Sequence, residues 1–366
     1  MKYLKFAFIA LLASVLVFTG CEKDEVTPDA EFIPENFKVD IPSSISGEAS
    51  KKLSSSKDEV LQGDDIYGYL RTFIFVGEAS AEIVQDIMRA IRKHGLNEAM
   101  SFSFQSDDDG RVKNVVITEN SSFEGHTWEY ELSMTDAESE ANADQGMAMQ
   151  VFWDRNPVDG IAILKPYNLN RTENPEENDV MYRVDYSETG DTGYSNAMIV
   201  YIAGLPVANP LQLPYAMQTL KIFAGKDGDM VDVFGNSNHP NAKFFNDDTG
   251  FNWAFTASGI EDSDIGVAEV GLPPSDLDET SREVILGDYA LKTVFENQIY
   301  DVWPNILPED LDTYLQNTEA PGYFGPFGFI TGGTAPNDQY TEIEASMNEL
   351  VPYNPIQVTN LTIEFK

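Results

Sequence analysis

The sequence predicts an α+β fold, mainly β: a long antiparallel meander forming a curved sheet, half-barrel or barrel, covered by an N-terminal amphipathic helix and followed by a helical C-terminal subregion. Three observations lead there. An apolar stripe of helical period occupies Ser80 to His94, the period then switches to two for most of the following chain, and turn-forming clusters separate the alternating segments.

In the helical segment Ile83, Val84, Ile87, Met88 and Ile91 share one face, while Glu82, Gln85, Asp86, Arg89 and Arg92 point elsewhere. A helix of about four turns follows, stopped at Gly95. Next, Met100, Phe102 and Phe104 alternate with Ser101, Ser103 and Gln105, and Trp128, Tyr130, Leu132 and Met134 alternate with Thr127, Glu129, Glu131 and Ser133. These are half-buried strands. Further strands are expected at Arg111 to Thr118, Met147 to Trp153, Ile161 to Pro166, Val180 to Tyr186, Ala197 to Ala203 and Met217 to Phe223, then at Met230 to Phe234, Phe251 to Ala257 and Val267 to Leu272. Turn signals such as Asp107-Asp108-Asp109-Gly110 and Lys226-Asp227-Gly228 separate them. A meander of this length must curl, close or be covered to protect its apolar face. Beyond Ser275, helices are expected within Ser281 to Gln298 and around Glu309 to Gln316, a Gly/Pro/aromatic loop at Pro321 to Gly333, and a last strand at Asn360 to Phe365. Residues 64–366 are thus expected to form one helix-plus-β domain, with 275–335 as its helical subregion.

The N-terminal region has a different logic. Lys2 and Lys5 precede an apolar run from Phe6 to Phe18 that ends in Thr19-Gly20, the arrangement of a cleaved signal peptide over residues 1–20. The run is shorter than the ~20 residues that span a bilayer as a helix. Cys21 is the only cysteine, so no intramolecular disulfide can form. The string Phe18-Thr19-Gly20-Cys21 resembles the lipobox of bacterial lipoproteins, with Phe18 where Leu is usual. That resemblance implies a diacylglycerol on Cys21 and a membrane partner reached through acyl chains. Glu22-Lys23-Asp24-Glu25 resembles the short export signal of Bacteroidota-type surface lipoproteins, which implies a place on the outer face of the outer membrane. A periplasm-facing domain on a plain acidic linker is the alternative. Residues 21–63, rich in Ser, Lys, Asp, Glu and Pro, read as a flexible tether.

The chain carries a formal charge of −38, and loss of Lys2 and Lys5 with the signal takes it to −40. Phosphate binding needs clustered Lys and Arg, so nucleic acid is excluded as a partner. There are three histidines, His94, His126 and His239. Gly193-Tyr194-Ser195-Asn196-Ala197 resembles a nucleophile elbow but precedes a strand, where that motif needs a strand before it and a helix after. No catalytic residue, metal ligand set or cofactor motif is assigned. The acidic groups around Asp107, Asp229 and Glu261 do not match the spacing of a calcium loop.

Two sets of side chains remain as candidate ligand contacts. Trp128, Met147, Met149, Trp153, Tyr182, Tyr201 and Trp253 are expected on strands, as core or as the wall of an apolar cavity. Asn236, Asn238, His239 and Asn241 lie in a polar string expected to form a rigid loop after a strand. The order of anchor, tether, helix and meander is similar to that of barrel and half-barrel lipoproteins that carry apolar ligands. It implies a non-enzymatic binding lipoprotein with a lipid-like or glycan ligand on the meander. The rival readings are an envelope glycan hydrolase with paired carboxylates and a structural or adhesive surface module.

Overall fold

A computed structural model describes residues 33–47, 62–93, 99–172, 177–207, 215–242 and 250–366. The signal peptide, Cys21, the export tetrad, most of the expected tether and the Gly95 stop lie outside the described residues. The chain is mainly β and antiparallel. Its strands are β1 (Ser101–Gln105), β2 (Val112–Phe123), β3 (His126–Asp136), β4 (Met147–Arg155), β5 (Val158–Leu164), β6 (Met181–Ser187) and β7 (Asn196–Ala203), then β8 (Thr219–Asp227), β9 (Met230–His239), β10 (Phe251–Ile260), β11 (Ile265–Gly271), β12 (Gly322–Gly325) and β13 (Gly328–Gly332). They run in meander order, and among the described residues no pairing of β13 with β1 closes them into a barrel. The helices are α1 (Gly63–Lys93), α2 (Pro166–Leu169), α3 (Leu291–Val302), α4 (Pro308–Tyr314), α5 (Thr341–Glu349) and α6 (Pro355–Thr359).

The chain divides into two compact units. The first comprises Met1–Lys38, Ala79–Pro206 and Thr362–Lys366, and the second Val39–Glu78 and Val207–Leu361. The expected helical subregion 275–335 belongs to the second.

In the first unit, directly opposed residues of antiparallel strands share a face, and the register puts Tyr130, Trp153, Gly160 and Tyr186 together. Phe37 stacks on Tyr186 at 5.6 Å and its N–H donates to Gln85 Oε1 at 3.0 Å. Gly160 makes room for it, since a Cβ there would lie 2.8 Å from the Phe37 ring. The tether expectation therefore fails over 33–47, where Ile33, Phe37, Val39, Ile41 and Ile45 are all buried. Composition misleads here: the apolar residues are sparse and aperiodic, yet each fills a place in a core. On the opposite face Phe123 stacks on Phe152 at 4.4 Å, beside Ile161 and Ile163, and Ile363 and Phe365 pack onto that cluster. Residues 361–366 are thus not the expected strand. They lie across the sheet face, with Ile363 and Phe365 facing inward, because an alternating sequence can lie on a face as well as join an edge. Lys366 Nζ donates to Ser121 Oγ at 2.6 Å and pairs with Glu131 at 2.7 Å. Burial would raise the Glu131 carboxyl, but bonds from Lys366, Ser121 and Gln150 hold it below its usual range.

In the second unit the sheet is covered on both faces. The α1 residues Tyr67 and Phe73 lie on one face: Tyr67 stacks on Phe329 at 5.0 Å, and Phe73 meets the Trp253 ring edge at 5.5 Å. On the other face Ser346 of α5 donates to Asp232 at 2.9 Å, while Ile343 and Met347 pack on Val267 and Tyr323. Nine of the ten β10 residues are consequently buried. Two expectations fail for this reason. The β12–β13 hairpin replaces the expected Pro321 to Gly333 loop, its glycines admitting close neighbours: a Cβ on Gly322 would lie 2.7 Å from the Tyr67 ring. α1 is also twice the expected length, beginning at Gly63 with Asp64 and Asp65 in its first turn.

Candidate functional site

The polar string at 235–239 is strand rather than loop, the second half of β9. Pairing with β8 and β10 supplies its backbone hydrogen bonds, so the Gly and Asn residues that signal turns locally have no turn to make. Alternation then sends Asn236 and Asn238 to one face and Gly235, Ser237 and His239 to the other. Asn238 Nδ2 donates to Asn252 Oδ1 at 2.8 Å and Ser275 Oγ at 2.7 Å, and Asn252 Nδ2 donates to the Pro355 carbonyl at 2.9 Å. Asn236 Nδ2 reaches the Tyr353 carbonyl at 3.2 Å. These amides fasten α6 and the chain before it to the sheet. Asn241 lies in the following turn, half-buried.

His239 is fully buried between Phe73 and Trp253, at ring distances of 4.7 and 5.0 Å. Its Nδ1 lies 3.1 Å from the Tyr215 carbonyl, which can only accept, so Nδ1 carries the proton. Nε2 then accepts from the Ser237 hydroxyl at 2.8 Å. Burial pushes the imidazole down to about 3. A Ser–His pair with no accessible surface and, among the described residues, no carboxylate partner holds a neutral ring in a core; it does not present a nucleophile.

The expected ligand wall is likewise core, and it is divided. Trp128, Met147, Met149, Trp153, Tyr182 and Tyr201 belong to the first unit, and Trp253 to the second. Met149, Trp153 and Trp253 have 0 % exposure, Tyr182 4 % and Trp128 5 %. A void able to hold an acyl chain would leave its lining accessible to a water-sized probe, so these rings do not line one. Tyr201 is placed on the opposite face from Trp153 by the register, with the Arg183 guanidinium over its ring at 5.4 Å. Met147, at the start of β4, is half-buried.

Of the acidic groups around Asp107, Asp229 and Glu261, Asp107, Asp108, Asp229 and Asp262 lie exposed on turns, while others, like several acids elsewhere, are engaged by protein groups. Asp109 pairs with the buried Lys113 at 2.9 Å, and Asp136 with Arg111 at 2.9 Å. Asp232 accepts from Ser258 at 2.5 Å, and Asp264 from the Ser43 hydroxyl at 2.6 Å. Asp154 and Asp159 face each other across β4 and β5, but Asp154 is taken by His126 at 2.7 Å and by the Glu129 N–H at 2.8 Å. Among the described residues no helix is long and apolar enough to cross a membrane.

One recess combines exposed aromatic surface with free edges. α3 ends at Val302 because Pro304 disfavours helical geometry at the residue before it, and Trp303 has left the helical region at φ −128°, ψ 73°. Pro308 opens α4 five residues later. Beneath this corner Ile299, Leu311 and Leu315 form a small core supported by Phe295 and Ile306. Above it Trp303 keeps 48 % of its surface exposed and lies 5.8 Å from the Tyr314 ring, tilted by 30°. The two rings form one wall of an open groove of about 650 Å³, with Asn305, Asp310 and Thr313 supplying polar groups. Sequence reasoning missed it. The available signal was Trp303 itself, the one tryptophan outside any alternating segment, set before a proline.

Comparison with known protein families, curated sequences and solved structures gives no significant match.

The buried imidazole makes a pH test. Below ~6.5 the unfolded chain takes up a proton that the folded chain refuses until about pH 3, so stability from His239 falls with falling pH. Between pH 7 and pH 5 wild type should lose roughly 2 kcal/mol more than His239→Gln in urea unfolding. An equal loss in both would mean that the ring is charged and solvated in the folded state.

Proposed function

We propose that this chain is an envelope lipoprotein, held at the outer membrane through Cys21 with its folded part on the cell surface, that binds a glycan in the Trp303–Tyr314 groove. The observation that carries this reading is the half-exposed Trp303 ring, continuous with Tyr314 and bordered by Asn305, Asp310 and Thr313. A sugar presents an apolar C–H face and a rim of hydroxyls. An aromatic platform answers the first, and an amide, a carboxylate and a hydroxyl answer the second. A lipid-like ligand would need enclosed apolar space, which the packed meander residues do not supply. The anchor rests on the sequence before and after Cys21, since a chain this acidic has no electrostatic hold on an anionic membrane.

Two substitutions test the parts separately. Cys21→Ser should leave export intact but release the protein from the membrane fraction and abolish acyl-chain labelling; unchanged membrane retention with no label on wild type would contradict the anchor. Surface exposure is read by protease cleavage on intact cells, and full protection would make the domain periplasmic. Trp303→Ala should weaken calorimetric binding of glucose or N-acetylglucosamine tetramers by at least about tenfold, or ~1.4 kcal/mol. An unchanged far-UV spectrum should show that the variant is folded, because the ring lies at the rim of its small core and half of it faces solvent. Equal affinity in wild type and variant, or no binding by either, would contradict the groove.

A further inference from the structure

We infer that the groove selects a glycan bearing amino groups over a neutral one, and excludes anionic polymers. This rests on the glycan reading of the same groove. The sequence from Thr293 to Phe365 contains no Lys or Arg, so α3 beyond Lys292, α4 and the turn between them offer no cation to an anionic sugar. Asp310 lines the groove, and Asp301, Glu309 and Asp312 are exposed on the same two helices. The nearest basic residue in sequence, Lys292 at the start of α3, is already paired with Glu319 at 2.5 Å. The exposed face of an indole is the negative side of its quadrupole and attracts a cation set over it. Trp303 and Asp310 therefore favour the same charge from one groove. An amine on a sugar ring, like an α-amino group, is protonated below about pH 8.

The same groove discriminates by charge only if a local group does so, because a chain of charge −38 attracts any cation at long range. Asp310→Asn isolates the local part: it keeps the size and hydrogen-bonding rim and changes the total charge by one. The probes are tetramers of glucosamine, N-acetylglucosamine and galacturonate, titrated calorimetrically against the full mature chain at slightly acid pH and at about 50 and about 300 mM salt. Wild type should bind the glucosamine tetramer about three- to tenfold more tightly than the acetylated one, and the uronate not measurably. Asp310→Asn should bring the two amino-sugar tetramers to within about twofold of each other. Trp303→Ala should weaken both together. If the preference survived in Asp310→Asn, or if wild type bound the uronate as tightly, the amine inference would be overturned while glycan binding stood. If none of the three bound, or if Trp303→Ala bound them unchanged, the glycan reading itself would fail.

Discussion

Burial of both faces of the strands in the second unit is the constraint on which the rest of the molecule depends. With α1 on one face and α5 and α6 on the other, the side chains of β9 and β10 are apolar, small or hydrogen-bonded, although Asn236 Oδ1, Trp253 Nε1 and Thr256 Oγ1 are buried without a partner among the described residues. An amide left unpaired there would cost about 1–3 kcal/mol. Asn238 and Asn252 meet that demand by binding each other, Ser275 and the backbone of α6. His239 meets it by staying neutral and using both ring nitrogens. The polar residues that look most like a binding loop are thus the fasteners of a closed interior.

The first unit obeys a related rule with different materials. Its sheet buries one face under Phe37 and its neighbours, and covers part of the other with Ile363, Phe365 and Lys366. Both covering segments are short, lack regular secondary structure and come from far apart in sequence. The C-terminal one is held by Ile363 and Phe365, inserted at alternate positions. Elsewhere in this unit buried charged groups are compensated locally, as with Lys113 and Asp109, whose side chains are almost wholly out of solvent.

Most of the strands were legible because alternation is a local signal that survives wherever one face meets solvent, as in β6, whose burial alternates along its whole length. It fades where both faces are covered. The second half of β9 reads as a loop because Gly235, Asn236, Ser237 and Asn238 favour turns in isolation, and only pairing on both sides overrides them. β12 and β13 are hidden for the same reason, as glycines placed for close approach to Tyr67 look like punctuation. The groove was illegible because its rings are eleven residues apart, Trp303 just past the end of α3 and Tyr314 at the end of α4, and meet only when α3 and α4 fold back on each other. The proposed anchor, by contrast, rests entirely on local sequence, Phe18 to Glu25.

The central claim is that the strand interiors are full and that aromatic surface is offered outside them. Three of the four tryptophans, Trp128, Trp153 and Trp253, are buried, and Trp303 is half exposed. Acrylamide quenching of tryptophan emission in the folded chain reads this directly. The expected result is one accessible fluorophore in wild type and almost no quenchable emission in Trp303→Phe. Substantial quenching that persisted in Trp303→Phe would mean that solvent or ligand space reaches the rings of the meander, and would contradict the claim.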